Sequence, residues 1–386
     1  MLTNGSLGDK LLSVKELNCP SPQAAEAHND KLVELFQARL PWHLARIKCF
    51  VLLVLAVLEQ KTVSLYWISL AGPPEVKSES RYRRFQRFFA LFRFKQQSLG
   101  ALILSLLPKP AEGWVLAMDR TNWKFGKTHI NILVVTVVLD GVGFPIAWLM
   151  LPVRTKRGNS NKHHRITVMQ RVLDIMDCTG IKVLTMDREF IGKGWLGWLN
   201  TLEIPYIVRV KKDARIGNTQ AQHLCRYRRW RKGSSSPRSV FDQQVYFAAK
   251  RIAKGRDPYL AVVSNRFQGR EALELYSLRW GIETFFSHLK ERGFRFEKTH
   301  LTKKPRLEKL VAVLGMAFTL CHRWGRLQEH RQGIKIKKHG YRAKSVFRLG
   351  LESLHKMVKR PARYVAELQE FLRLVIARPL ARSFVV

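Results

Sequence analysis

The sequence is short of acids, of paired cysteines and of long apolar runs, and each shortage excludes something. Against 68 Lys and Arg it has 29 Asp and Glu, a formal charge of +39. That imbalance disfavours a cationic partner. It favours a polyanion, with nucleic acid first and an acidic membrane surface second. The five cysteines, Cys19, Cys49, Cys178, Cys225 and Cys321, lie far apart and form no Cys-x-x-Cys pair. They read as reduced thiols of a cytosolic protein, not as a disulfide framework or a zinc site. The longest unbroken apolar run, Phe50 to Leu58, is well short of the ~20 residues that span a bilayer. No basic segment followed by an apolar run opens the chain, so no signal peptide is expected.

What is present suggests five stretches within 386 residues, a length that accommodates two or three domains. Residues 1–107 read as helical, with helices expected near 24–40, 41–59, 62–70 and 78–95. The last carries Arg81, Arg83, Arg84, Arg87, Arg93 and Lys95 beside a core face of Phe85, Phe88, Phe89 and Phe92. A short helix, a turn and a basic helix make either a helix-turn-helix DNA reader or a helical bundle with a basic surface.

Residues 108–200 change character. Val115 to Met118 is a short apolar strand ending on Asp119, followed by strands at 130–139 and 144–151. A helix near 164–176 leads to a strand over 182–186 that ends on Asp187, and a helix over 194–200 follows. Hairpin strands and then a βα crossover predict a mixed sheet with helices on its faces. Residues 201–268 read as a β-rich basic insertion, 269–330 as the second part of the core, and 331–386 as a basic helical region suited to dimerisation or DNA contact.

Residues 271–290 read as one helix with two faces. At about 100° per residue, Leu275, Leu278, Ile282, Phe285 and Leu289 share one arc. Tyr276, Arg279, Glu283 and Lys290 share a second, roughly 60° wide. One carboxylate is thus aligned with phosphate-binding groups. If the strands ending on Asp119 and Asp187 are neighbours, their carboxylates and Glu283 make a hard oxygen set suited to Mg²⁺ or Mn²⁺. Two such ions about 4 Å apart would support in-line phosphoryl displacement. Arg279, bidentately, and Lys290, as a point charge, would hold phosphate. The plain alternatives are turn or cap roles for each Asp and a solvated helix face for the rest.

Tyr276-x2-Arg279-x3-Glu283-x6-Lys290, with Asp119-Arg-Thr-Asn-Trp123 and Thr185-Met-Asp-Arg-Glu-Phe190, resembles the bacterial insertion-sequence transposases of the family numbered four. The resemblance spans roughly residues 40 to 330. It implies an α/β fold: an RNase H-like mixed sheet with flanking helices, interrupted by a β-rich insertion, between helical N- and C-terminal regions. It implies cut-and-paste DNA transposition by a homodimer in a synaptic complex with terminal inverted repeats and target DNA, in the cytoplasm at the nucleoid.

By that resemblance Asp119, Asp187 and Glu283 would be the catalytic metal-binding triad, served by Mg²⁺ with Mn²⁺ as substitute. Tyr276, Arg279 and Lys290 would contact DNA near the cleaved end. Glu189 departs from the glycine found there in many members and has no role from sequence. Trp230, set among arginines in the insertion, either stacks on an extruded base or belongs to the core. Two rival readings stand beside this one: a DNA-binding protein that no longer catalyses, and an RNase H-like structure-specific nuclease.

Overall fold

The computed structural model describes residues 22–72, 75–152, 160–226, 236–252 and 259–376. Trp230, Cys19 and the basic loop at 154–158 lie outside them. Five helices open the described chain: α1 (Pro22–Gln37), α2 (Leu44–Gln60), α3 (Leu65–Ser69), α4 (Ser78–Leu91) and α5 (Gln96–Ser105). α2 is apolar nearly all round and is buried accordingly. α4 buries Phe85, Phe88 and Phe89 as its spacing predicts.

One of the six cations expected around α4 is not on its surface. Arg81 is 6% exposed, and its guanidinium donates to the carbonyls of Ser69 (2.8 Å) and Val76 (2.6 Å). It closes the α3–α4 connection. Those carbonyls have left their helix or precede one, and a buried carbonyl needs a donor.

The sheet begins with a meander of β1 (Trp114–Phe125), β2 (Thr128–Leu139) and β3 (Val142–Met150). Asn161 caps α6 (Lys162–Leu173), its side chain accepting from the His164 N–H at 2.9 Å. Next come β4 (Ile181–Met186), α7 (Lys193–Thr201) and β5 (Tyr206–Arg209). A small pair, β6 (Arg215–Ile216) and β7 (Thr219–Gln220), leads into α8 (Ala221–Arg226). Strands β8 (Arg238–Val240), β9 (Gln243–Arg251) and β10 (Tyr259–Ser264) then return to the main sheet.

The order is β3-β2-β1-β4-β5-β10-β9-β8. β1, β4 and β5 are parallel, and the other pairs are antiparallel. Such a mixed α/β sheet with flanking helices is compatible with an RNase H-like core. Strands β8 to β10, read from sequence as part of an insertion, extend this same sheet through β5.

The remaining helices are α9 (Gly269–Ser277), α10 (Trp280–Leu289), α11 (Lys304–Gln332), α12 (Val346–Lys359) and α13 (Val365–Ile376). α11 buries residues on every side along its middle, from Leu307 to Gly325. It packs against β3, α2 and α12, so N- and C-terminal helices meet around it. Gly325 and Gly350 permit the α11–α12 contact. A Cβ on Gly350 would lie 1.8 Å from the Cys321 carbonyl oxygen.

Residues 271–290 are two helices, not one. Across the junction the N–H groups of Leu278, Arg279, Gly281 and Ile282 each bond three residues back, a tightened turn. The tightening aims the two arcs separately: α9 packs towards β9 and β10, whereas α10 lies across β3 and β1.

Candidate active site

β1 and β4 are parallel neighbours, with Met118 opposite Met186. Asp119 and Asp187 therefore follow at one level on adjacent strands. Asp187 opens the loop after β4, as the sequence suggests. Asp119 does not end its strand: β1 continues to Phe125, with Asp119 opposite Val134 of β2. The polar residues beyond Asp119 stay in the ladder because β2 is long enough to pair them.

α10 reaches this point by close packing. A Cβ on Gly281 would sit 2.7 Å from Val138 Cγ1, and one on Gly143 would sit 2.9 Å from the Gly281 carbonyl oxygen. With both side chains absent, the helix lies directly on the β2–β3 turn. Arg279 then extends to Asp119, Nη1 to Oδ2 at 2.6 Å, with Glu283 Oε1 3.6 Å from the same nitrogen. One guanidinium links two of the three acids. The other Asp119 oxygen accepts from the Arg120 N–H at 2.7 Å.

Electrostatics at Asp119 pull both ways. Burial raises its pKa most, and the charges of Glu283 and Asp187 add to it. Arg279 and the Arg120 N–H oppose the rise, leaving the group at about 7. Burial pulls Arg279 down, yet Tyr276, Asp119, Asp187 and Glu283 together hold it above its ordinary value. The direction that stands is a firmly cationic arginine among crowded carboxyl groups, one of which takes up a proton near neutrality.

Tyr276 is 6% exposed, and burial pushes its phenol up to about 12. It lies behind Arg279, whose guanidinium is 5.9 Å from its ring centre. Lys290, at the far end of α10, donates to the Asn122 carbonyl at 3.2 Å and pairs with Glu297 at 3.5 Å. Its ammonium lies 6.0 Å from the Trp123 ring centre. Arg279 and Lys290 thus bracket the polar half of β1.

The donor set suits a hard divalent cation. All three acids offer oxygen, and Asp187 Oδ1 is buried without a hydrogen-bond partner, an oxygen that a cation would satisfy. Among the described residues no three His, Cys, Asp or Glu side chains are gathered tightly enough to hold an ion as they stand. Arg279 occupies the space between two of them, so a metal cation would share their carboxylate oxygens with its guanidinium or displace it.

Two features went unread in the sequence. Arg120 and Glu189 form a forked ion pair beside the two aspartates, at 3.0 Å. The only signal was opposite charge close after each Asp. Trp280 is 67% exposed and lines a depression of about 400 Å³ with Glu283, Ser287 and Lys290.

Residues 110–320 match a family model described as the transposase DDE domain. No curated protein matches the chain. Among solved structures, the cryo-EM structure of piggyBac transposase synaptic complex with hairpin DNA is similar, with a TM-score of 0.44 and 13% identity. The likeness covers 92% of this chain and 80% of that one.

Proposed function

The chain belongs to the transposase DDE-domain family, enzymes that cleave DNA and transfer strands, and from that premise we propose that it moves an insertion sequence of the family numbered four by cut-and-paste. Asp119, Asp187 and Glu283 are the residues that would hold divalent metal, Mg²⁺ or Mn²⁺. The metal, when bound, supplies activation of a water or 3′-hydroxyl and neutralises charge on the reacting phosphate.

The rest falls to side chains already in place. Arg279 carries a guanidinium beside the acids that can turn to a phosphate with two parallel hydrogen bonds. Tyr276, buried behind it, fixes the root of that side chain. Lys290 supplies a second cation farther along the DNA end. The single observation that carries this reading is the convergence of Arg279 on Asp119 and Glu283, next to Asp187 just past the end of the adjacent strand.

The partners in this reading are terminal inverted repeats and target DNA, held by a homodimer at the nucleoid. Among the described residues, no helix is long and apolar enough to cross a membrane.

The purified protein should nick and join DNA bearing the element's ends when Mg²⁺ is supplied. Asp119→Asn, Asp187→Asn and Glu283→Gln should each lower cleavage by roughly 10³-fold or more while DNA binding persists. Cleavage by Glu283→Gln at the parent rate would sink the assignment. Cut ends without joined product would instead identify a nuclease.

A further inference from the structure

The two aspartates are each followed by one half of an ion pair. Arg120 comes directly after Asp119, and Glu189 lies two residues beyond Asp187. Arg120 Nε is 3.1 Å and 3.3 Å from the two Glu189 carboxylate oxygens, and its Nη2 is 3.0 Å from Oε2. Both side chains are largely enclosed, at 12% and 18% exposure.

The loop after β4 is fastened from its other side by Arg165 of α6. Arg165 donates to the carbonyls of Glu189 at 2.7 Å and Ile191 at 3.1 Å. Ser160 Oγ accepts from its Nε at 3.0 Å. Its guanidinium also lies over the fully buried Phe190, 5.3 Å from the ring centre. Backbone and side chain of one short loop are therefore tied to two different elements.

Resting on the reading of Asp119 and Asp187 as metal ligands, we propose that Arg120 and Glu189 are positioning residues that set the spacing and availability of those two carboxylates. An enclosed ion pair adds little net stability, because desolvation offsets its attraction. What a forked pair supplies is direction. Joining β1 one residue past Asp119 to the β4 loop two residues past Asp187, it holds the loop from pivoting about Met186.

Glu189 in turn has both oxygens engaged with Arg120, which leaves three acids, not four, to face a cation.

The test uses the full-length chain and Mn²⁺ alone, with affinity measured by calorimetry and by the loss of the free-ion electron spin resonance signal. Glu189→Gln and Arg120→Gln should weaken Mn²⁺ binding by about 10- to 100-fold, the usual effect of removing a partner behind a metal ligand. DNA binding in metal-free buffer should match the parent. Arg120→Lys keeps the charge without the fork and should lose less than Arg120→Gln, a graded result that general unfolding does not produce. Equal Mn²⁺ affinity in parent, Glu189→Gln and Arg120→Gln overturns the brace. Parent binding that Asp119→Asn leaves unchanged overturns the metal reading beneath it, which is a different result.

Discussion

Asp119 has an ordinary carboxylate value of 3.8 when exposed and about 7 in the folded chain. The difference means that a cation binding there displaces a proton from Asp119 to solvent, since a ligand carboxylate must be ionised. Metal binding near pH 6.5 should release a proton, seen as a buffer-dependent calorimetric heat, and affinity should rise from pH 6 to 8. In Asp119→Asn the release from this group should vanish; an unchanged proton count would show that some other group titrates.

The same shift acts on stability. The folded value lies above the unfolded one, so the stabilisation from this group is complete below about pH 4 and is lost as pH rises through 7. Melting of the metal-free protein should therefore show a component that declines between pH 4 and 7 and is absent in Asp119→Asn. At this scale the three acids could be singled out because acids are scarce in this chain, although Asp119 lies within β1 and not at the strand end its apolar run suggests. The Arg120–Glu189 pair was not legible, because its halves are 69 residues apart and only the parallel pairing of β1 with β4 brings them together.

Among the elements, the contact of α10 with the β2–β3 turn decides where Glu283 and Arg279 lie. Gly281 is the second residue of α10, where glycine costs at most about 1 kcal/mol relative to Ala, the helix-interior value. Were it merely tolerated, Gly281→Ala would stabilise the protein by up to that much. Overpacking against Val138 Cγ1 at 2.7 Å costs about 1–3 kcal/mol, so the variant should instead melt lower or lift α10 from the sheet. Cleavage should fall with it even though no acid is changed. A stabilised, fully active Gly281→Ala would show that the close approach is not needed.

The element pattern was largely readable. Apolar spacing located α2, α4, α6 and α7 within a few residues, and the Val- and Ile-rich runs located β2 and β3. The break before Trp280 was not readable. Residues 275 to 289 keep an apolar stripe through it, and the tightened turn leaves no mark in hydropathy. The extension of β1 to Phe125 was likewise hidden, because most of its residues are polar and their place depends on a partner strand.

For the molecule as a whole, charge is the feature that acts at a distance. A formal +39 steers DNA and makes binding fall steeply with salt. Part of that charge lies on the loop between α11 and α12, where Lys335, Lys337 and Lys338 are exposed and Tyr341 is 74% exposed. Replacing the three lysines with alanine should reduce the slope of log K against log salt by up to roughly 2.7 if each meets a phosphate. No change in slope would place that loop off the DNA.

The linkage of Arg279 to Asp119 spans 160 residues of chain, and this has a bearing on the order of synthesis. N-terminal parts fold first as a chain emerges. The arginines of α4 and the paired strands β1 and β4 are therefore made long before α10 exists. Such a growing chain already has the charge to hold DNA, whereas Glu283 and its arginine arrive only after the sheet has received β10. A chain truncated before α10 therefore keeps the basic helix α4 and the strands of the two aspartates but lacks both Glu283 and Arg279.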